Sequence, residues 1–303
     1  MAPLPDDSSG GDTMSGPAPR AGGTLWLVAT PIGTLADLSP RACEVLRRCG
    51  TVLAEDTRRA RKLLSHYEVP VAGRLRSFHE HNEEKMGEWV VGRLRDGDDV
   101  ALISDAGTPV LSDPGFTLVR RVRGAGLAVL SVPGPSAFVA ALAASGQPPL
   151  PALLVGFLPP RPGARRRRLE ELARIDATLV ILLSPHRLGR ELADMSSVLG
   201  ATRSASLMAE LSKRHERSAT GSLEELCCSP EAENPRGEYV IVVGPPTSLP
   251  SGIEQGEELA ERVQALYQEA IDLGLERSAA LRLVADRLQL KRREVFDALR
   301  ADR

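Results

Sequence analysis

The stretch Val100-Ala101-Leu102-Ile103-Ser104-Asp105-Ala106-Gly107-Thr108-Pro109, continued by Ser112-Asp113-Pro114-Gly115, decides how the rest of the chain is read. A four-residue apolar run that breaks into Ser, Asp, Gly, Thr and Pro predicts a buried strand ending in a loop. Open α/β sheets place their ligands at the carboxyl ends of strands. Glycine permits close backbone approach, and Asp and Thr offer an acceptor and a hydroxyl to a small polar molecule. A plain strand-to-helix turn has much the same composition, so the loop alone leaves both readings open.

Around this loop the chain alternates apolar runs with amphipathic segments. Strands are predicted at 25–30, 51–55, 74–78, 99–104 and 127–132, and helices at 40–49, 57–66, 82–95, 114–124 and 136–145. Ser39 followed by Pro40 is a capping hydroxyl before the residue favoured at the first helical position. This alternation argues for a mostly parallel sheet. Pro148-Pro149-Leu150-Pro151 punctuates the chain. A second α/β section follows, with strands at 153–157, 178–183, 203–209 and 239–243 and helices at 163–174 and 187–199. A linker at 245–252 leads to a helical tail, 257–273, 279–290 and 291–301, with Ser278 as a cap and Gly274 as a stop. The tail reads as a helix-turn-helix-like unit or as a packing appendage. The expected domains are a disordered tail at 1–23, an α/β domain at 24–147, a second α/β domain at 148–246 and a helical domain at 255–303.

The chain of 303 residues is 42% hydrophobic, enough for two cores, and its formal net charge is -2. Nucleic-acid contacts must therefore come from local basic patches. An aromatic content of 3% argues against a stacking platform for single-stranded RNA. Cys43, Cys49, Cys227 and Cys228 form neither a disulfide framework nor a zinc-site spacing, which fits thiols in a reducing cytoplasm. No apolar run approaches the roughly 20 residues of a membrane span.

Several further loops offer chemistry. Thr30-Pro31-Ile32-Gly33-Thr34 ends the first strand and lacks both the dinucleotide and the nucleotide-triphosphate glycine patterns. Glu55-Asp56-Thr57-Arg58-Arg59 ends the second, with Arg61 and Lys62 close behind. Its carboxylates suit orienting a substrate, binding a cation or acting as a base, or else acids in a helix's first turn that answer the macrodipole, and its cations suit RNA phosphates or a solvated face. His79-Glu80-His81-Asn82 invites a metal reading, but too few ligands lie nearby; RNA hydrogen bonding or a helix cap at Asn82 fits better. Pro133-Gly134-Pro135-Ser136-Ala137 opens a helix whose N-terminus can receive a polar ligand group or cap itself. Arg165-Arg166-Arg167-Arg168 cannot share one helix face, so several of these arginines should be solvent-exposed, on a solvated surface or against phosphates.

The order of these elements is more specific than any one of them. TPIG, AEDTR, HEHNE, SDAGTP-x-x-SDPG, PGPSA, GFLP, SPHR, AELSK and GEY, from Leu25 to Gly244, resemble the ribosomal RNA small-subunit methyltransferase I family. That resemblance implies the tetrapyrrole-methylase fold: two α/β domains with S-adenosylmethionine in the cleft between them, and a small C-terminal helical domain. It implies methylation of the ribose 2′-hydroxyl of a cytidine in the decoding region of 16S rRNA, within the small ribosomal subunit, by a cytoplasmic homodimer without a metal. It places the donor against Pro31, Asp105, Ala106, Gly107, Thr108, Ser136 and Ala137, with Leu183, Ala209 and Tyr239 opposite. Three residues depart from the family pattern: Thr34 for Asn, Leu183 for Glu and Ala209 for Arg.

Methyl transfer from a sulfonium to a sugar hydroxyl requires in-line alignment and removal of a proton. Candidates for the proton are Glu55, Asp56, His81 and Lys213, the last only if burial or nearby cations lower its pKa. Two other readings compete. A tetrapyrrole methylase of the same fold would need a wide apolar cleft. A non-catalytic RNA-binding assembly protein would have no reason to bind the donor.

Overall fold

The computed structural model describes residues 22–246, 256–272, 275–288, 295, 296 and 299. Residues 1–21 of the expected tail, most of the 245–252 linker and most of 291–301 lie outside the described residues.

The first lobe is built from β1 (Thr24–Val28), α1 (Pro40–Arg48), β2 (Thr51–Ala54), α2 (Thr57–His66), β3 (Leu75–Ser77), α3 (Glu83–Arg95), β4 (Val100–Ile103), α4 (Phe116–Gly124), β5 (Ala128–Val132) and α5 (Ala137–Ala144). Its five strands are all parallel, in the order β3-β2-β4-β1-β5. The central strands are apolar on both faces because helices cover both. Trp26, Val28, Ala101 and Ile103 pack with residues of α1 and α2, while Leu25, Val100 and Leu102 pack with residues of α3 and α4. Ser39 caps α1, accepting from the Ala42 amide at 3.1 Å. Asn82 precedes α3 without a capping hydrogen bond. Its side chain instead ties the preceding turn together, accepting from the His79 amide at 2.9 Å and donating to the Ser77 carbonyl at 3.0 Å.

The second lobe comprises β6 (Ala152–Phe157), α6 (Pro162–Ala173), β7 (Thr178–Leu183), α7 (Leu188–Leu199), β8 (Ser204–Ala209), β9 (Arg217–Ser222), α8 (Leu223–Cys227), α9 (Pro230–Glu233) and β10 (Tyr239–Val243). Its five-stranded sheet runs β6-β7-β10-β8-β9 and is mixed, with only β6 and β7 parallel. One face packs on α6, α7 and α8. The other is covered by α5, whose Phe138 and Ala141 meet Val180, Met208, Val240 and Val242. The helix that follows the first lobe's last strand is thus buried against the second lobe's sheet.

Of the arginine run, Arg166, Arg167 and Arg168 are exposed, as expected, and Arg165 is buried. Arg165 is 2% exposed and holds Asp194 with nitrogen-oxygen distances of 2.6 and 2.7 Å. Arg166 reaches the other oxygen of Asp194 at 2.8 Å, and Arg168 pairs with Glu171. Burial pushes the Asp194 carboxyl up, but hydrogen bonds from Arg166 and Arg165 outweigh it and hold it below the usual range.

Residues 246–303 form a separate unit containing α10 (Gly256–Asp272) and α11 (Arg277–Leu288), with Val263, Val284, Ala285 and Val295 at its core. Ser278, expected to cap, lies inside the first turn of α11. The carbonyl of Glu276 accepts from the Ala279 and Ala280 amides, so the helix starts earlier. No helix among the described residues is long and apolar enough to cross a membrane.

Candidate functional site

The carboxyl ends of β1, β2 and β4 bring three loops together. Thr30 and Gly107 exchange backbone hydrogen bonds at 2.9 and 3.0 Å. The Thr30 hydroxyl donates to the Ser104 carbonyl at 3.1 Å, and that of Ser104 to the Gly107 carbonyl at 3.1 Å. Gly107 adopts φ +82°, where a side chain is disfavoured. The Thr108 hydroxyl donates to the Pro135 carbonyl at 3.3 Å and so fastens the loop to the entrance of α5.

A cavity of about 420 Å³ opens between the lobes. Asp105, Ala106, Gly107 and Thr108 form one wall, and Ser136 and Ala137 at the start of α5 continue it. Ser136 makes no capping hydrogen bond within its helix. Leu183 and Tyr239, from facing ends of β7 and β10, lie across the cavity. Pro31 lines instead a second cavity of about 350 Å³, together with Gly33 and Lys62. The two cavities share Ile32, Arg59, Asp105, Ala106 and Glu238.

Ala209 is placed elsewhere. It is 1% exposed in the second lobe's core, opposite Tyr239 on β8. Leu183 is opposite Tyr239 on the other side. Leu183 and Ala209 therefore flank Tyr239, separated from each other by β10, and both are apolar. The Tyr239 hydroxyl accepts from the Arg236 amide at 3.0 Å.

The candidates for proton removal are separated by their surroundings. Asp56 caps α2, accepting from the Arg58 and Arg59 amides, and its side-chain bond to Arg58, first among the causes, holds its carboxyl below the usual range. Its own amide donates to the Asp105 carboxylate at 3.1 Å. His81 is exposed in the turn before α3, its ring edge-on to His79 at 5.9 Å, and lines neither cavity. Lys213 bonds Glu210 at 2.9 Å and Glu238 at 3.1 Å. Burial pulls its pKa down, but the hydrogen bonds to these carboxylates outweigh burial and raise it, the reverse of what a base requires.

Glu55 shares a crevice with Asp113, a residue the sequence reading did not single out for chemistry. Asp113 also lines the larger cavity. Burial, then the negative charge of Glu55, pushes the Asp113 carboxyl up to about 6, with Asp105 adding to the rise and a hydrogen bond with Ser104 opposing it. The signal for Asp113 lay in the second half of the quoted stretch, Ser112-Asp113-Pro114-Gly115. Phe157 and Glu238 are further cavity residues to which the sequence reading assigned no role, and Arg59, expected to meet RNA phosphates or solvent, lines the cavity as well.

The loops over the cavities carry backbone strain. Val110 and Ser112 adopt φ +77° and +65°, and Glu210 and Ser212 +57° and +61°. Each such conformation costs on the order of 1–3 kcal/mol and persists only where its surroundings hold it. Contacts between the lobes do so at Ser212. Its hydroxyl accepts from the Thr34 amide at 3.3 Å and donates to Asp37, and its carbonyl accepts from the Thr34 hydroxyl. A Cβ on Gly33 would stand 2.7 Å from the Ser212 carbonyl, so this approach requires glycine.

Residues 24–227 match the model of the Tetrapyrrole (Corrin/Porphyrin) Methylases. A Ribosomal RNA small subunit methyltransferase I of Pseudomonas aeruginosa is 44% identical over 86% of this chain and 91% of its own. One of Xylella fastidiosa is 47% identical over 73% of this chain and 81% of its own, and one of Halalkalibacterium halodurans 39% over 91% and 94%. Among solved structures, a uroporphyrin-III-C-methyltransferase from Thermus thermophilus has TM-score 0.51 at 24% identity, over 73% of this chain and 94% of its own. A cobalt precorrin-4 methyltransferase has TM-score 0.55 at 16% identity over the same shares. At such identities these two likenesses show the fold alone. The chain belongs to the tetrapyrrole methylases and, by its curated relatives, to their ribosomal RNA small subunit methyltransferase I family.

Proposed function

We propose that the protein is an S-adenosylmethionine-dependent methyltransferase of 16S rRNA that modifies the ribose 2′-oxygen of a cytidine in the decoding region. The observation that carries this reading is the cavity between the lobes, walled by the 105–108 loop and the start of α5, in a chain whose curated relatives bear the name of an rRNA methyltransferase. The fit to the donor is good. A volume of about 420 Å³ lies within the roughly 300–1,000 Å³ of small-molecule sites, and apolar walls surround a few convergent polar groups, as such sites require. When bound, the donor supplies an electrophilic methyl carbon.

Asp105 presents a carboxylate to the donor's polar groups, held in place by the Asp56 amide. Gly107 keeps the wall free of a side chain, and Ser136 and Ala137 present the uncapped start of α5. Asp113 is the carboxylate on the cavity wall whose surroundings favour accepting a proton near neutral pH. Glu55, beside it, raises its proton affinity. Of the cations on α2, Arg59 and Lys62 line the smaller cavity beside this wall and suit the phosphates of RNA. Calorimetric titration with S-adenosylmethionine tests the reading. Asp105→Ala should weaken binding by about 1–3 kcal/mol, the cost of a polar group losing its partner. Unchanged affinity in that variant would contradict the assignment.

A further inference from the structure

The smaller cavity has the chemistry of a nucleotide subsite. Pro31, Leu35 and Leu63 give it apolar surface, Arg59 and Lys62, three residues apart on α2, bring two cations to it, and Asp105 and Glu238 bring two carboxylates, of which Glu238 is paired with Lys213 at 3.1 Å. Apolar walls accept a sugar or base, and a guanidinium with a neighbouring ammonium suits a phosphate. The larger cavity has no cation besides Arg59 among the residues that line it, and Arg59 stands in the shared wall.

Arg59 is engaged elsewhere in this structure. Its guanidinium lies 3.5 Å from one Asp105 oxygen, while the other accepts from the Asp56 amide. The Arg59 side chain is 70% exposed, so this long, solvated pair is cheap to exchange. Asp105 is also the carboxylate assigned to the donor. Donor and Arg59 therefore compete for one group, and a guanidinium displaced from Asp105 remains at the edge of the smaller cavity.

We propose that the smaller cavity binds a phosphate of the RNA, and that Arg59 passes from Asp105 to that phosphate when the donor occupies Asp105. This inference rests on the proposed function. It makes donor and RNA binding mutually supportive, because a coupling between two equilibria acts equally in both directions.

The test measures binding of the full chain to small ribosomal subunits by filter retention, with and without saturating S-adenosylhomocysteine, which transfers no methyl group. For the unaltered protein the nucleoside should tighten subunit binding by up to about fivefold, because the coupling cannot exceed the worth of the exposed Arg59–Asp105 pair that it releases. Arg59→Gln should bring the two affinities together. Arg61→Gln, which removes a charge of the same helix outside both cavities, should leave the ratio intact. Lys62→Gln should weaken subunit binding more than Arg61→Gln when the nucleoside is present. Equal affinities with and without nucleoside in the unaltered protein, or full coupling in Arg59→Gln, would overturn the inference. Binding of nucleoside and subunits without coupling would contradict this inference alone. Failure of the unaltered protein to bind either one would contradict the proposed function itself.

Discussion

At Asp113 the sequence offers only an aspartate before a proline, and the fold gives it an unusual proton affinity. Its folded value of about 6 lies above the ordinary 3.8, so folded chains hold this proton more tightly than unfolded ones. That contribution to stability is full below the ordinary value and is lost as pH rises through about 6. Asp113→Asn should therefore raise the melting temperature at pH 7.5, and the gain should vanish near pH 3.8, which paired melting curves would check. The same variant should lower the methyl-transfer rate by about 10²–10⁴-fold, the usual range for a lost proton acceptor. In the unaltered protein the rate should climb as pH passes 6 and then level off. Asp56 makes the opposite case. Its carboxylate caps α2, and asparagine caps as well as aspartate. Asp56→Asn should keep near-normal activity, whereas Asp56→Ala should lower the melting temperature. Loss of activity in Asp56→Asn would return Asp56 to the proton acceptors.

At the level of elements, the join between the 30–37 loop and the 210–213 loop sets the distance between the lobes. Gly33→Ala would push a methyl group onto the Ser212 backbone. It should cost about 1–3 kcal/mol in denaturant stability, as overpacking does, and weaken donor binding as well. The strands β1, β2, β4 and β5 of the first lobe were legible because each is a short, mainly apolar run bounded by turn residues. β9 was not, because Arg217–Ser222 carries no apolar run and pairs along one side only, with β8. Its place is fixed by the ladder to β8 and by the Ser206 hydroxyl meeting that of Thr220 at 3.0 Å. Arg166, Arg167 and Arg168 are exposed, as expected, but the burial of Arg165 was not legible, for a related reason. Composition says that four cations are adjacent, but only the packing of α6 on α7 puts Asp194 beneath Arg165.

Across the whole molecule, the strand-end motifs were legible as a site because a parallel sheet sends its strand ends to one side. The shared wall at Arg59 and Glu238 was not, since it depends on how the second lobe meets the first. Nor was the placement of Ala209, which shares a row of the sheet with Tyr239 and Leu183 but is buried on β8 outside the cavity that those two residues line. The chain divides at Pro245 into the two-lobed body and the helical unit. Ending the chain after residue 246 should leave donor affinity unchanged and weaken binding to ribosomal subunits. Loss of donor binding on truncation would mean that the helical unit belongs to the catalytic body. The homodimer implied by the family resemblance should appear in sedimentation as a species of about twice the chain's 32.5 kDa mass.

The most direct measurement is transfer of a labelled methyl group from S-adenosylmethionine to isolated small ribosomal subunits, followed by mapping of the modified nucleotide. The account predicts label on the ribose 2′-oxygen of a single cytidine in the decoding region of 16S rRNA, and its loss in Asp113→Asn. Label on a base, label on a tetrapyrrole but not on RNA, or no transfer by a protein that binds both donor and subunit would contradict it.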